Sequence, residues 1–520
     1  MSPVSLRRIR TALATLAATA IALTGCAAPL PTDASWQPRE PESISGLAFS
    51  GESVAFDSLD PANLAGISQH RATNTDLGLD LSWPMVAGAD EFNSEIQEQQ
   101  WSLIEAQEVA TGLNYAPQLQ PHGLSERGCA PGQTTASADE LREQYPDASL
   151  IGSCEIVAAA GNILGVRTRV LDDEQDASVT TYYDLASGNS TAATELLSLD
   201  EEALGTLWHE AVVAIRANAG QVTLWPGDDA TPLDETSRAQ FETALAGAVL
   251  EADGSLVLDK SGGFESEVLD ALPGRDAPGL VDRIQFTPEA IEPYLSEQGR
   301  STLEQLDANW QPPQTSTMGL HAGCDLVPCV ALTYDDGPNP GMTELLDTFA
   351  ERGDVATFFF IGNQVSGNAD IVQRTYDEGH ELANHSWDHP DFTTLKPNEL
   401  RDQISKTQNA IASITGDAPT LVRPPYGAFN NKVVADIGMP IIMWDLDTLD
   451  WQGPPRESLI SDVVDNSRPG SIVLMHSIHD NTVAAAPGII DGLHDRGFEL
   501  VTVTGLFDGS VPGGVTFSRE

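Results

Sequence analysis

Two short segments in the C-terminal part of the chain hold residue types that suit chemistry. The first, Thr333–Pro338, reads TYDDGP and sets two adjacent carboxylates, Asp335 and Asp336, on a Gly-Pro turn. Adjacent carboxylates on a tight turn point in different directions, so one can bind a metal while the other handles a proton. The second, His385–Pro390, reads HSWDHP, and imidazoles four residues apart on one helical turn can offer two neutral nitrogens to one cation. The pair indicates a metal site, although each segment alone is also typical of an ordinary turn or of surface histidines.

Three further segments lie at the ends of predicted strands: Arg423–Gly427 (RPPYG) closes one strand, Asp447–Trp451 (DTLDW) follows the next, and Ile472–His476 (IVLMH) ends another. Alone, each is weak, since such segments are more often a rigid turn, a loop and a buried histidine. The histidines are unevenly spread, and four of the ten lie in or near these segments: His380, His385, His389 and His476. Others stand in ordinary contexts that predict solvated rings: His70, His122, His209 and His494.

Together and in this order, the five segments resemble the five signatures of the polysaccharide deacetylase family, which carries the NodB homology domain (carbohydrate esterase family 4). The resemblance covers about a third of the chain, roughly Cys324 to Leu506. It implies an α/β fold with a C-terminal distorted (β/α) barrel as the catalytic domain. It also implies an enzyme, a polysaccharide N-deacetylase that hydrolyses the amide of an N-acetylated sugar.

The resemblance further implies a role for each matching residue. The metal ligands would be Asp336, His385 and His389, a set of two imidazoles and one carboxylate that suits one divalent cation, with Zn²⁺ favoured. The catalytic residues would be Asp335 as general base, Arg423 as its cationic partner, His476 as general acid, and Asp450 (Asp447 is the alternative) as the carboxylate that holds the His476 ring.

The same resemblance implies three substrate-binding residues. The backbone N–H of Tyr426 would stabilise the oxyanion, while Trp451 and Leu474 would line an apolar slot for the acetyl methyl group. Two departures are visible: Tyr334 stands where the family often has Phe, and His479 follows His476 closely without a family role. We interpret His479 as a residue of the site's rim.

Around these segments, short β-rich runs alternate with helical ones over residues 324–520, which predicts a parallel sheet, closed or open. The predicted strands are Cys329–Tyr334, Ala356–Ile361, Glu381–Asn384, Leu421–Arg423, Pro440–Trp444, Ser471–Met475 and Phe498–Val503. The predicted helices are Ala369–Glu378, Asn398–Ile414, Glu457–Asn466 and Thr482–Asp495. The chemically suited segments then fall at the carboxyl ends of the strands, where active sites of such folds collect.

Residues 46–308 predict an α+β accessory region of one or two domains, followed by a Pro- and Thr-rich linker over 309–323. Helical spacing covers Glu95–Glu108 and Glu202–Ala217, while Ser149–Ala159, Asn162–Leu171 and Val179–Tyr183 predict strands. Short segments within it are similar to an extracellular domain that precedes some peptidoglycan deacetylases; an unrelated spacer domain is the alternative.

The N-terminus predicts export and a lipid anchor. Three arginines precede an apolar run over Thr11–Thr24, too short to span a bilayer and typical of a signal peptide. The run ends in LTGC at Cys26, which resembles the lipobox of bacterial lipoproteins; a coincidental cysteine is the alternative. Residues 1–26 would be removed or modified, residues 27–45 would form a tether, and the protein would sit on the extracellular face of the cell membrane.

Exported chains can oxidise their thiols, and four cysteines remain after Cys26. Proximity favours the pairs Cys129–Cys154 and Cys324–Cys329, with a zinc site or unpaired thiols as alternatives. The charge count, 26 Lys and Arg against 77 Asp and Glu, gives a formal net charge of −51. A field of that sign argues against nucleic acid as a partner.

The predicted partner is instead an N-acetylated polysaccharide of the cell wall. Peptidoglycan N-acetylglucosamine is the nearest substrate for an anchored enzyme, with chitin-like polymers, poly-N-acetylglucosamine and acetylxylan as alternatives. A wall-binding or sensing lipoprotein is the alternative from a different class.

Overall fold

The structure, a computed structural model, describes residues 58–119, 123–126, 128–218, 233–259 and 283–519. The predicted signal peptide (1–26), its lipidation site Cys26, the tether (27–45) and His122 lie outside these residues. The described residues all fall within one compact unit of the chain, residues 46–520. No helix in the described part is long and apolar enough to cross a bilayer.

The accessory region opens with a six-stranded sheet whose strands lie in chain order. They are β1 (Ile67–Asn74), β2 (Leu79–Val86), β3 (Leu150–Ala160), β4 (Ile163–Leu171), β5 (Asp176–Asp184) and β6 (Asn189–Ala192). Neighbours are antiparallel except β2 and β3, which are parallel because helices α1 (Asp90–Thr111) and α2 (Ala138–Gln144) lie between them in the chain. The three predicted strands and the first predicted helix of this region are confirmed, with ends shifted by a few residues.

A second part of the accessory region packs around its own core. It contains α3 (Glu201–Asn218), α4 (Glu235–Ala246), the antiparallel strands β7 (Val249–Leu250), β8 (Leu256–Asp259) and β9 (Arg283–Phe286), then α5 (Pro288–Ile291) and α6 (Glu297–Gln305). Trp208 packs edge-on to Phe241 in a cluster that also buries Phe286. Among the described residues, this cluster is separate from the one that the six-stranded sheet buries.

The C-terminal part is a distorted, closed ring of parallel strands. Its strands are β10 (Cys329–Gly337), β11 (Thr357–Phe360), β12 (Glu381–Asn384), β13 (Ile441–Ile442), β14 (Leu446–Asp447), β15 (Ile472–His476), β16 (Glu499–Leu500) and β17 (Val515–Thr516). The sheet runs β12-β11-β10-β15-β14, and single parallel bridges from Asn384 to Val422 and from Val422 to Ile441 close it. The predicted strand at 421–423 is thus a one-residue bridge, and the chain through 441–447 completes the barrel. The predicted fold class is confirmed.

Helices cover the outside of this barrel. They are α7 (Met342–Arg352), α8 (Gly362–Val365), α9 (Ala369–Asp377), α10 (Pro397–Thr415), α11 (Asn431–Ile437), α12 (Arg456–Asn466), α13 (Asp480–Asp495) and α14 (Val503–Leu506). The barrel strands are near-continuous apolar runs, such as the fully buried Thr357–Phe360, because side chains are covered both in the lumen and under the helices. Because the strands are buried on both faces, they are held firmly, and the polar residues that follow them are held at one end of the barrel.

The accessory sheet packs against the amino-terminal end of the barrel. A single buried cluster joins accessory residues such as Leu81 and Trp83 to barrel residues such as Phe359 and Ile472. His70, predicted to be solvated, is instead completely buried, and its Nδ1 lies 2.6 Å from Oε1 of Glu499 on β16. Sequence context missed this because the partner is 429 residues away. The prediction holds for the exposed His209, while His494 is half-buried beside Asp354.

The predicted linker, residues 309–323, bonds to both parts of the molecule. The Trp310 indole N–H donates to the carbonyl of Ala65, and the Ala322 N–H donates to Oε2 of Glu499. Both predicted disulfides are present, Cys129–Cys154 in the accessory region and Cys324–Cys329 just before β10. The segment that leads into β10 is therefore held by a disulfide and by hydrogen bonds to both the accessory region and the barrel.

Candidate active site

Three side chains at the carboxyl ends of neighbouring strands form a cluster with the composition of a metal site. Asp336 is the last residue but one of β10, and His385 and His389 follow β12. Asp336 Oδ1 lies 3.6 Å from His385 Nε2 and 3.3 Å from His389 Nε2, and the three ligand atoms all lie within 4.8 Å of one another. The parallel pairing of β10, β11 and β12 is what brings these residues together across 49 or more positions of sequence.

The two histidines do not lie on a helical turn, so that part of the sequence prediction is wrong. Residues 385–390 form a loop in which Ser386 and His389 adopt left-handed backbone angles, with φ of 77° and 65°. The His389 N–H donates to Oγ of Ser386, and the Ser386 N–H donates to Oδ1 of Asn384. These hydrogen bonds stabilise a loop in which both rings face Asp336, although the loop has no helical repeat.

The cluster fits a divalent cation on three observations. His385 donates its Nδ1–H to the carbonyl of Arg423 at 2.8 Å, which leaves the Nε2 lone pair directed at Asp336. Asp336 Oδ1 is buried, and no hydrogen-bond donor reaches it among the described residues. Burial, and then the neighbouring His385 ring, lower the pKa of His389, so its imidazole is neutral and able to act as a ligand.

Asp335 sits beside the cluster as half of a buried ion pair. Its Oδ1 accepts a 2.8 Å hydrogen bond from Nη1 of Arg423, and its Oδ2 lies 3.6 Å from His385 Nε2. Arg423 is fully buried, and its other N–H groups donate to the carbonyls of Ile442 and Met443. The guanidinium thus fixes one carboxylate oxygen of Asp335 and leaves the other facing the metal cluster.

His476 ends β15, directly opposite Asp335 in the β10–β15 pairing. Its Nδ1 lies 2.7 Å from Oδ1 of the buried Asp450, so Nε2 is the nitrogen left to face the site. Burial opposes protonation of the ring, but the hydrogen bond to Asp450 and the nearby carboxylates of Asp335 and Asp336 outweigh it and raise the pKa of His476. The structure thus selects Asp450 as the partner of His476; Asp447 instead accepts from its own loop, at Leu449 N–H.

The three predicted substrate-binding residues differ in exposure. Tyr426 is 73% exposed, and its ring stands edge-on to His389 with centroids 4.6 Å apart. Trp451 is also exposed at 57%, whereas Leu474 is buried on the same face of β15 as His476, two residues before it. The ring contact with His389 thus places Tyr426 beside the metal cluster.

Backbone strain is concentrated around this site. Of seven non-glycine residues with positive φ in the described chain, five lie in its loops: Asp336, Ser386, His389, Tyr426 and Leu449. Such conformations cost about 1–3 kcal/mol each and persist where the surroundings impose them, typically at functional sites. Sequence patterns carry little signal for them, because none of these residues is glycine.

Two histidines noted in the sequence lie apart from the metal cluster. His380 precedes β12, so it lies at the amino end of that strand, opposite the site. It is buried between Phe349 and Phe358, and burial lowers its pKa to about 3. His479 lies nearer, with its ring 5.8 Å from that of His476, as expected for a residue of the rim.

Two threonines of the site were missed by sequence reasoning. Thr333 donates to the carbonyl of Val473 and accepts from Nη1 of Arg423, and Thr482 donates to Oδ2 of Asp450. Thr333 belongs to the TYDDGP segment, so its position was a usable signal. Thr482 lies outside all five segments and had none.

Known proteins match the chain over this barrel. The sequence model of the family described as polysaccharide deacetylase matches residues 322–441. The chain is 42% identical over 179 residues to the peptidoglycan-N-acetylglucosamine deacetylase PgdA of Listeria monocytogenes, a match that covers 34% of the chain and 38% of that protein. The chain therefore spans well under half of that relative's length.

Two further relatives are matched over most of their own length. The peptidoglycan-N-acetylglucosamine deacetylase of Bacillus cereus is 35% identical over 189 residues, which are 35% of the chain and 69% of that protein. The chitooligosaccharide deacetylase of Sinorhizobium fredii is 36% identical over 189 residues, which are 33% of the chain and 88% of that protein. At this level of identity and coverage, the chain belongs to the polysaccharide deacetylase family.

Proposed function

We propose that the protein is a metal-dependent N-deacetylase that hydrolyses acetamido groups of an N-acetylated cell-wall polysaccharide, peptidoglycan N-acetylglucosamine foremost. The observation that carries the proposal is that Asp335 and His476, paired on the neighbouring strands β10 and β15, both lie beside the Asp336–His385–His389 cluster. A base and an acid flanking a cation site are what amide hydrolysis requires.

The first half of the reaction falls to Asp335. A divalent cation, Zn²⁺ by the donor set, would be held by Asp336, His385 and His389, and when bound it would lower the pKa of water and polarise the acetyl carbonyl. Asp335 takes a proton from the attacking water through Oδ2, since Arg423 occupies its Oδ1. The backbone N–H of Tyr426 is our candidate donor to the developing oxyanion.

The second half falls to His476. The C–N bond breaks as the ring transfers its Nε2 proton to the sugar nitrogen, so that acetate and a free amine leave. Asp450 supports this step because its charge and its hydrogen bond at Nδ1 keep the ring protonated toward higher pH. Leu474 and Trp451 would shape the slot for the methyl group.

Peptidoglycan is our first choice of substrate for two reasons. Two relatives above carry names that specify peptidoglycan N-acetylglucosamine. The predicted export and lipid anchor would also keep the enzyme next to the wall. The chitooligosaccharide deacetylase among the relatives makes chitin-like oligomers the second substrate to test.

The test is mass spectrometry of muropeptides and of chitin oligomers incubated with the full chain. We expect a mass loss of about 42 Da, which is the change when an acetyl group is replaced by a hydrogen atom, and fragmentation should assign it to N-acetylglucosamine. Chelation should abolish this loss, and added Zn²⁺ should restore it. Loss from N-acetylmuramic acid or only from chitin oligomers would correct the substrate. No loss from any polymer, or turnover indifferent to chelator, would overturn the proposed activity and favour a wall-binding or sensing protein.

We also propose that the protein is anchored by lipid at Cys26 on the outer face of the cell membrane. Changing Cys26 to alanine should abolish lipidation, because the Cys26 sulfur is the atom that would take the diacylglyceryl group, and leave the protein unprocessed or in the medium. Fractionation with metabolic labelling by a fatty-acid analogue measures this. Membrane retention of a normally processed Cys26→Ala protein would refute the anchor without touching the deacetylase proposal.

A further inference from the structure

Thr482 contacts the carboxylate that controls the acid histidine. It lies in the first turn of α13 and is 1% exposed, and its hydroxyl donates to Oδ2 of Asp450 at 2.7 Å. Neither the family signatures nor its neighbours in sequence mark it. Among the described residues, the hydrogen bond of its hydroxyl goes to Asp450 alone.

Both oxygens of the Asp450 carboxylate are fully engaged. Oδ1 faces Nδ1 of His476 at 2.7 Å, while Oδ2 accepts the His476 backbone N–H, also at 2.7 Å, and the Thr482 hydroxyl. Asp450 is 1% exposed, so water cannot replace a lost donor. The Thr482 hydroxyl therefore acts together with the two hydrogen bonds from His476 to fix the rotation of the carboxylate about its Cβ–Cγ bond, and with it the direction in which Oδ1 points.

The hydrogen bond between Thr482 and Asp450 also stabilises the loop that follows His476. His476 and Thr482 bind one carboxylate from the two ends of a short loop, and the Thr482 N–H donates to the carbonyl of His479. Asn481 ties this loop to the carbonyl of Pro454 beyond the DTLDW segment. A change at residue 482 would thus be felt first by Asp450 and the His476 ring.

We propose that Thr482 is a positioning residue for the reaction, acting through Asp450 to hold the His476 ring with Nδ1–H toward Asp450 and Nε2 toward the leaving nitrogen. This inference rests on the proposed deacetylase function for its kinetic consequence, but its structural part does not. Charged and titratable groups face the ring from β10 (Asp335 and Asp336), from the metal cluster (His389), from Asp450 and from His479. Only Asp450 bonds Nδ1, so its orientation decides which nitrogen is available.

The experiment compares three variants of the full chain. Thr482→Val keeps the side-chain shape but removes the hydroxyl, and Thr482→Ser restores the hydroxyl without the methyl group. The matched control is Thr375→Val, which deletes an equally buried hydroxyl with a 2.7 Å bond to the carbonyl of Ile371 on α9, away from the site. Each is assayed for kcat, KM and metal content, and the Nδ1–H resonance of His476 is followed in selectively ¹⁵N-labelled protein.

We expect Thr482→Val to lower kcat about tenfold, the change that one hydrogen bond to a charged group is worth, with KM and metal content unchanged. Its His476 Nδ1–H resonance should broaden or vanish through exchange, while Thr482→Ser and Thr375→Val keep both the resonance and the turnover. Wild-type turnover and an intact resonance in Thr482→Val would overturn the assignment, as would equal losses in the Val and Ser variants. If the wild-type chain turns over no substrate, the proposed function fails, and the resonance alone decides the role of Thr482.

Discussion

Asp335→Asn should give a folded protein that keeps its metal and loses about 10²–10⁴-fold in kcat, the usual contribution of general base catalysis. An amide cannot accept the proton of the attacking water, yet its oxygen can still accept the Arg423 hydrogen bond. Arg423 also keeps its contacts to Thr333, Ile442 and Met443, so the buried guanidinium is not left bare. Some loss of thermal stability is expected, because the ion pair is reduced to a neutral hydrogen bond.

The matched variant is Asp336→Asn, one residue along the same turn. Here the metal itself should be lost, since a neutral amide oxygen is a weaker ligand than a carboxylate and no donor among the described residues hydrogen-bonds Asp336 Oδ1. Elemental analysis beside turnover for both variants separates the roles. If Asp335→Asn lost its metal while Asp336→Asn retained it, the assignment of base and ligand would have to be exchanged.

The residues of the site could be predicted from the sequence because the strand topology decides which residues lie close together. Parallel strands bring their carboxyl ends to one rim, so residues that directly follow predicted strands, such as Asp336, His385 and His476, must meet there. Residue type then supplies the chemistry. The five short segments therefore predicted which side chains meet at the site, while their proposed roles as ligands, base and acid come from the resemblance to the polysaccharide deacetylase family.

What the sequence could not supply is local backbone geometry and long-range burial. His385 and His389 face one point through a left-handed turn, which no periodicity encodes. His70 and His380 have contexts that look solvated or functional, yet one is buried against Glu499 and the other among phenylalanines, at the amino end of the barrel strands. Thr482 is functional in our proposal only because α13 begins beside Asp450.

A further prediction concerns the amino-terminal end of the barrel, called the barrel floor below, against which the accessory sheet packs. A fragment of residues 322–520 should be insoluble or strongly destabilised, because the buried cluster at the barrel's amino end is shared with the accessory sheet. Removing that sheet exposes apolar side chains of the barrel and leaves Glu499 without His70. Each newly exposed large side chain costs about 1.5–3 kcal/mol, so the loss of several matches the 5–15 kcal/mol that typically stabilises a domain.

The control is residues 46–520, which lacks only the N-terminal segment, and the measurements are soluble yield and thermal unfolding by circular dichroism. The Sinorhizobium fredii relative is matched over 88% of its length by 189 residues, 33% of this chain, so a protein of this family can be much shorter than this chain. The expected loss of stability is therefore specific to this chain, whose barrel floor is apolar and whose Glu499 is only 6% exposed. A 322–520 fragment that unfolds within a few degrees of the control would show that the barrel folds alone and that the accessory sheet contributes little to its stability. If the fragment fails to fold, an assay of it would say nothing about catalysis, and for that reason Asp335→Asn in the full chain is the proper inactive reference.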